Sequence, residues 1–394
     1  MFGCRLPAIA GLSLTLAASL AATDASAQAT GTTSLSDTRP GIDSLGSDSS
    51  ARSALPLTTR SRLPLANKSA FKMKPSSPDG DPGISSATGD LSAPQAFGGA
   101  KAPYTTARVA VAKLGQSDTK ARTPVTSYPF RATGKIYARF GEDWFICTAS
   151  LVKKGVLITA AHCIFEYGKK KNGWADEVLW IPANEDGKGG IYGTWKWQDA
   201  YVPTPYFEGT DTCSQIGVVC NNDLATIVLK AKQGRYVGEI VGWYNYAWNG
   251  YSYKRFKPFK NTVVHITQLG YPGAFDDGYQ MIRTDAVGWY VKSGKLKNTQ
   301  MGSAQTGGSS GGPWLVNLGA KPKIDTTAAS LGKKTDQAVI GVTSYGSTTL
   351  GYNRQGASYF GKNKEYPKSN YGGYGAGNIG KLMQDTCKAH PSHC

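Results

Sequence analysis

Two adjacent serines, Ser309 and Ser310, lie between glycine pairs in the stretch GGSSGGPWL, which begins at Gly307. With no side chains on the flanking residues, backbone there can come close to a ligand. A serine nucleophile needs a base, a group that orients the base, and N–H donors aimed at the developing oxyanion. The chain has only four histidines. His390 and His393 fall in the last residues, and His265 lies inside the strand-like run TVVHITQL. His162 differs: it follows LITAA, where a strand should end, and directly precedes Cys163. Asp223 opens the apolar run in NNDLATIVL, where a carboxylate can be partly buried and aimed at an imidazole.

The cysteines bear on how these residues are positioned. Cys4 belongs to an apolar leader. The other six, Cys147, Cys163, Cys213, Cys220, Cys387 and Cys394, fall into three locally spaced pairs. An even count in an exported chain reads as disulfides, and the favoured pairing joins each cysteine to its nearest neighbour, although six allow fifteen connectivities. A bridge between Cys147 and Cys163 would pin the loop that bears His162. No C-x-x-C occurs, so the spacing argues against zinc.

The elements between these residues read as short β-strands broken by Gly, Asn and Asp. WFICTASLV, KKG and VLITAA resemble a hairpin, and LATIVL, TVVHITQL and QAVIGVTSY are further β-rich runs. GNIGKLMQDTCKAH reads as a terminal helix. Many short strands in about 270 residues predict an all-β sandwich or barrel.

The three blocks CTASLV…VLITAAHC, NNDLATIVL and GGSSGGP resemble the His, Asp and Ser blocks of the chymotrypsin-like (trypsin-like) serine peptidases, in that family's order. TSYPFRATGKI and LGYPGAFDDG resemble its bacterial glutamyl-endopeptidase group. The resemblance covers about residues 123–385. It implies two six-stranded antiparallel β-barrels with a C-terminal helix and an active site between the barrels. It implies Ser310 as nucleophile, His162 as general base and acid, and Asp223 as the group that holds the imidazole. The N–H groups of Gly308 and Ser310 would form the oxyanion hole. No cofactor or metal is implied, the substrates would be proteins or peptides, and a monomer is the default. G-x-S-x-G also occurs around Ser310, but the α/β-hydrolase fold needs its acid and His after the serine and alternating helices. The S-x-x-K match at Ser150 sits in a strand and is read as chance.

The sequence departs from the family pattern in two places. Many animal relatives carry an Asp before the nucleophile that pairs with a freed N-terminal amine; here the residue is Ser309, which cannot. The pocket position that selects Arg or Lys in trypsin-like relatives is Ala304, and the positions matching the pocket Thr and His of glutamyl-specific relatives are Gln305 and Thr343. Residues 342–346, including Ser344, Tyr345 and Gly346, should form one pocket wall and Gly356 the other. No fixed charge is left, so a polar or modestly apolar substrate residue is expected, and Gln305 and Thr343 could hydrogen-bond a neutral amide or a carboxylate.

The remaining features concern export and partners. Arg5, an apolar run over residues 6–22 and the Ala25-Ser26-Ala27 site read as a cleaved Sec signal peptide, residues 1–27, for a secreted or periplasmic protein rather than as a membrane span. Residues 28–122 are rich in Ser, Thr, Gly, Pro and Ala and read as a largely disordered pro-region or linker, with the peptidase domain at 123–394. Processing is expected within residues 101–122. The net charge is +17, almost all of it beyond residue 100. That favours an acidic surface or polymer as a partner, whereas no nucleic-acid motif is present. A catalytically silent binding protein on the same fold would dock such surfaces, and an esterase would use the same three residues.

Overall fold

The computed structural model describes residues 32–34, 102–109, 124–185, 190–248, 254–255, 262–319, 337–346 and 353–394. The expected leader at residues 1–27, most of the low-complexity segment and the predicted processing stretch after Val109 lie outside these residues.

Six strands are rich in β-branched and aromatic residues, which fit a pleated, half-buried surface. They are β1 (Thr133–Phe140), β2 (Asp143–Lys153), β3 (Val156–Thr159), β4 (Glu177–Pro182), β5 (Trp195–Pro203) and β6 (Ala225–Leu229). They pair antiparallel in the order β5-β6-β3-β2-β1-β4, and β4 pairs back to β5 through Leu179 with Lys196 and Trp180 with Trp195. The ring is therefore a closed six-stranded barrel, which leaves no open sheet edge within it. Its interior is filled by side chains such as Ile136, Leu151, Leu157 and the fully buried Trp180.

The second half is built from β7 (Thr262–Gly270), β8 (Ile282–Ser293), β9 (Leu296–Gly302), β10 (Pro313–Val316), β11 (Ala338–Val342), β12 (Tyr345–Gly346) and β13 (Arg354–Ser358). The order is β11-β10-β7-β8-β9-β13-β12. The chain passes from β11 through Thr343 and Ser344 into β12, and β12 pairs with β13, at the other end of the path. The sheet thus bends back on itself, as a second barrel requires. Buried Trp314 and Met301 lie in its core. The fold is mostly β with few helices, as the sequence predicts, and the terminal helix spans Gly377–Ala389.

One buried cation joins the two halves. Lys135 of β1 donates from Nζ to the Gly278 carbonyl at 2.8 Å. Burial lowers its ammonium to about 8.

Part of the segment read as disordered is an edge strand. Tyr104–Arg108 pairs antiparallel with residues 282–286 of β8. Val109 is buried and donates its N–H to the Met281 carbonyl. Thr32–Ser34 similarly pairs with the end of β5.

The disulfides are Cys147–Cys163, Cys213–Cys220 and Cys387–Cys394, the nearest-neighbour pairing. Among the described residues, no helix is long and apolar enough to cross a membrane.

Candidate active site

β3 ends at Thr159, and a single 3-10 turn, Ala161–Cys163, carries His162. The Cys163 disulfide ties this turn to β2. Asp223 stands just before β6, which pairs with β3, so adjacent strands deliver both residues to one end of the barrel. His162 Nδ1 lies 2.8 Å from Asp223 Oδ2, and the His162 backbone N–H donates to Asp223 Oδ1 at 3.0 Å. The Asp223 side chain is wholly buried, while that of His162 remains 18% exposed. Burial alone would lower the imidazole pKa, but the Asp223 charge and hydrogen bond outweigh it, leaving His162 above its usual 6.5.

A polar shell holds the carboxylate. The Ser344 hydroxyl donates to Asp223 Oδ2, and the Asp223 N–H donates to Ser358 Oγ at 3.0 Å. One residue earlier, Asn222 donates its backbone N–H and its side-chain amide to Asp211, at 2.9 and 2.7 Å. Burial and then the neighbouring Glu365 raise the Asp211 carboxyl to about 8, against the lowering effect of the Asn222 bonds.

The glycine-rich loop is folded against both halves. Thr148, next to Cys147 on β2, donates its N–H to the Ser310 carbonyl at 2.7 Å and its hydroxyl to the Gly308 carbonyl at 2.8 Å. Gly311 has φ +77°, and a Cβ there would fall 1.9 Å from Thr159 Oγ1 and 3.0 Å from Ala160 N. The absent side chain therefore lets the chain next to Ser310 lie on the end of β3, two to three residues before His162. Gly308 has φ +98°, and a Cβ there would meet the Tyr271 carbonyl at 2.3 Å. The Gly273 N–H holds the Gly307 carbonyl at 2.7 Å. Because the peptide is planar and trans, the N–H of Gly308 then points the opposite way. Among the described residues, no backbone carbonyl takes the N–H of Gly308 or Ser310. Two main-chain donors are thus left beside Ser310, an arrangement able to stabilise an oxyanion. Ser309 turns inward, 1% exposed, and its hydroxyl donates to the Thr306 carbonyl at 2.7 Å.

The pocket residues named from sequence separate into two groups. Ser344, Tyr345 and Gly346 run beside β13, with the Ser344 N–H on the Gly356 carbonyl at 2.8 Å. Ala304 lies in the loop after β9 and is partly exposed. Gln305 is buried and turns toward β8, where Nε2 donates to Thr284 Oγ1 at 3.1 Å. The Thr343 hydroxyl accepts from Gln268 at 2.8 Å and from the Trp314 indole at 3.0 Å. Gly356 sits behind the Tyr345 ring, within 2.0 Å of where its Cβ would be. Facing Gly346 is instead Gln355, which sequence reasoning passed over together with Gln268 and Thr148. Only the neighbourhood of Thr148 to Cys147 hinted at any of the three. His265 is exposed on β7. His390 lies at the terminal helix, 2.8 Å from Asp199.

Comparison with known proteins gives three findings. The family description Trypsin matches residues 120–360. Among curated proteins, the chain is 28% identical over 181 residues to a glutamyl endopeptidase of Bacillus licheniformis, covering 46% of this chain and 47% of that one. It is 27% identical over 135 residues to an extracellular metalloprotease of Bacillus subtilis, covering 34% and 38%. The chain thus spans less than half the length of either relative. Among solved structures, the protease Anisep from Arthrobacter nicotinovorans aligns with TM-score 0.44 and 21% identity over 59% of this chain and 91% of that one. A Glu endopeptidase in complex with MPD aligns with TM-score 0.38 and 18% identity over 60% and 87%.

Proposed function

The chain belongs to the trypsin family, and from that premise we propose that it is a secreted serine endopeptidase with His162, Asp223 and Ser310 as its triad. The observation that carries this reading is the bond line from Ser344 through Asp223 to His162 Nδ1, beside a loop with two unengaged main-chain donors. With Nδ1 committed to Asp223, Nε2 is the nitrogen left to take a proton. In the first step Ser310 Oγ attacks the peptide carbonyl and its proton passes to His162 Nε2. The carbonyl oxygen becomes an oxyanion between the Gly308 and Ser310 N–H groups, each donor contributing about 3 kcal/mol to the transition state. Collapse of the tetrahedral species breaks the C–N bond, and His162 returns the proton to the leaving amine. Water then attacks the acyl-enzyme by the same route, with His162 again accepting and returning the proton. Asp223 stays ionised and stabilises the imidazolium. Residues 344–346 would pair with the substrate backbone as an added strand.

Three disulfides and the apolar leader support export. The similarity to a glutamyl endopeptidase does not carry over its named specificity, because the pocket residues differ. The test is digestion of a diverse peptide library beside a Ser310→Ala control, with cut sites read by mass spectrometry. Cleavage by the wild type alone supports the triad. Equal cleavage by both removes Ser310 as nucleophile, and ester turnover without peptide cleavage replaces the reading with that of an esterase.

A further inference from the structure

We propose that Gln355 sets the depth of the pocket for the residue on the acyl side of the scissile bond (P1) and restricts it to small uncharged side chains such as Gly, Ala and Ser. The inference rests on the serine-peptidase reading above. β12 and β13 run antiparallel with Gly346 directly opposite Gln355 and Tyr345 opposite Gly356. Directly opposed residues share one face of a sheet. Gly346 brings no side chain to that face, so Gln355 meets none from β12, and Met301 is its opposite residue on the other side, on β9; a Cβ on Gly346 would lie 3.6 Å from Gln355 Cγ and 3.8 Å from Nε2. Without a side chain on Gly346 the mouth stays open, and the obstruction sits beneath it.

The Gln355 amide crosses from β13 to the loop between Ser303 and Ser309. Its Nε2 donates to the Gln305 carbonyl and lies 3.4 Å from Ser309 Oγ, while its Oε1 accepts from Gln268. The side chain therefore joins one wall of the pocket to the loop that carries the nucleophile, and Gln355 is 3% exposed. The layer around it is also engaged. Gln268 donates to Thr343 Oγ1 at 2.8 Å, and Ser303 donates to Gln268 Oε1 at 2.7 Å.

Such a floor excludes two classes of P1 residue. A long or aromatic side chain would have to displace a buried amide and leave its partners unsatisfied. A carboxylate would enter a site whose amide N–H groups already have acceptors, and would lose hydration without compensation. Small uncharged side chains meet neither cost.

The experiment measures kcat/KM for peptides that differ only at P1 (Gly, Ala, Ser, Leu, Phe, Glu, Lys), with fluorophosphonate labelling of Ser310 read in parallel. The expected wild-type result is at least about a 100-fold preference for Ala over Phe and over Glu, the upper range for steric discrimination by a pocket. Gln355→Gly and Gln355→Ala should each narrow the Ala-to-Phe ratio at least about tenfold. Should both variants fail to fold, the wild-type P1 order decides alone. Preference for Glu or Phe by a wild type that labels at Ser310 overturns the depth proposal and leaves the serine reading intact. Absence of both labelling and cleavage removes both.

Discussion

At the scale of single residues, the imidazole of His162 links geometry to a pH profile. Asp223 holds it above 6.5 despite burial, and the proposed reaction uses the neutral ring. The acid limb of kcat/KM should therefore have its midpoint above about 6.5, falling tenfold per pH unit below it. A rate that stays flat down to pH 4 rules out His162 as the base. The same raised value means that His162 adds stability fully below its unfolded pKa and loses it as pH rises through the folded one. Asp211 acts in the same direction. Its carboxyl rises from 3.8 to about 8, chiefly through burial and then through Glu365. Its contribution is complete below about 3.8 and is lost as pH climbs toward about 8. Melting temperature should thus fall by several degrees between pH 5.5 and 8.5, at up to about 1.4 kcal/mol per pH unit. Asp211→Asn should flatten that slope; an unchanged slope in the variant would place the titration elsewhere.

At the scale of elements, the strand Tyr104–Arg108 was illegible in the sequence, and the reason is physical. Five residues within a Ser- and Thr-rich stretch have no periodicity of their own; they are ordered by the free edge of β8. The strand also touches elements around the site. Thr106 Oγ1 lies 3.0 Å from Thr284 Oγ1, which in turn accepts from Gln305. Arg108 Nε donates to Asp276 at 2.6 Å, in the same connection as Gly273. Val109 adds a buried aliphatic side chain, worth about 1.5–3 kcal/mol. A chain that begins after Val109 should melt several degrees lower than one that begins at Ala102. Equal melting temperatures would mean that the strand is an ornament of the sheet. The residues of the proposed triad, by contrast, could be named from the sequence because each sits in a local signature: a strand end before a cysteine, an acid opening an apolar run, a serine among glycines. Gln355 was not, because its position depends on which residue of β13 falls opposite Gly346. That register is set across the tertiary fold, and no nearby motif reports it.

At the scale of the whole molecule, positive charge is the dominant property. Residues beyond 100 carry nearly all of the net +17. Part of it is crowded: Lys297 has its ammonium pKa lowered by burial first and then by Lys292 and Lys362. Lys297 lies on β9 next to Asn298, whose amide donates to the Cys220 carbonyl at 2.9 Å, three residues from Asp223. Long-range attraction between exposed charges is screened beyond about 8 Å at physiological salt. Cleavage of an acidic protein substrate should therefore slow several-fold between about 0.02 and 0.5 M salt, with little change for a neutral peptide. The same salt response in both substrates would show that the field plays no part in their encounter.

The main-chain construction beside Ser310 has a consequence for inheritance. Proline apart, no substitution deletes a donor that belongs to the backbone, so most missense changes in the loop leave the N–H groups in place. Silencing without loss of the His, Asp or Ser would have to re-aim a peptide plane. The vulnerable codon is then that of Gly308, whose φ of +98° disfavours any side chain and where a Cβ would meet the Tyr271 carbonyl at 2.3 Å. A lineage of this chain that had traded hydrolysis for binding could carry an intact set of His162, Asp223 and Ser310 and betray the change only at that glycine.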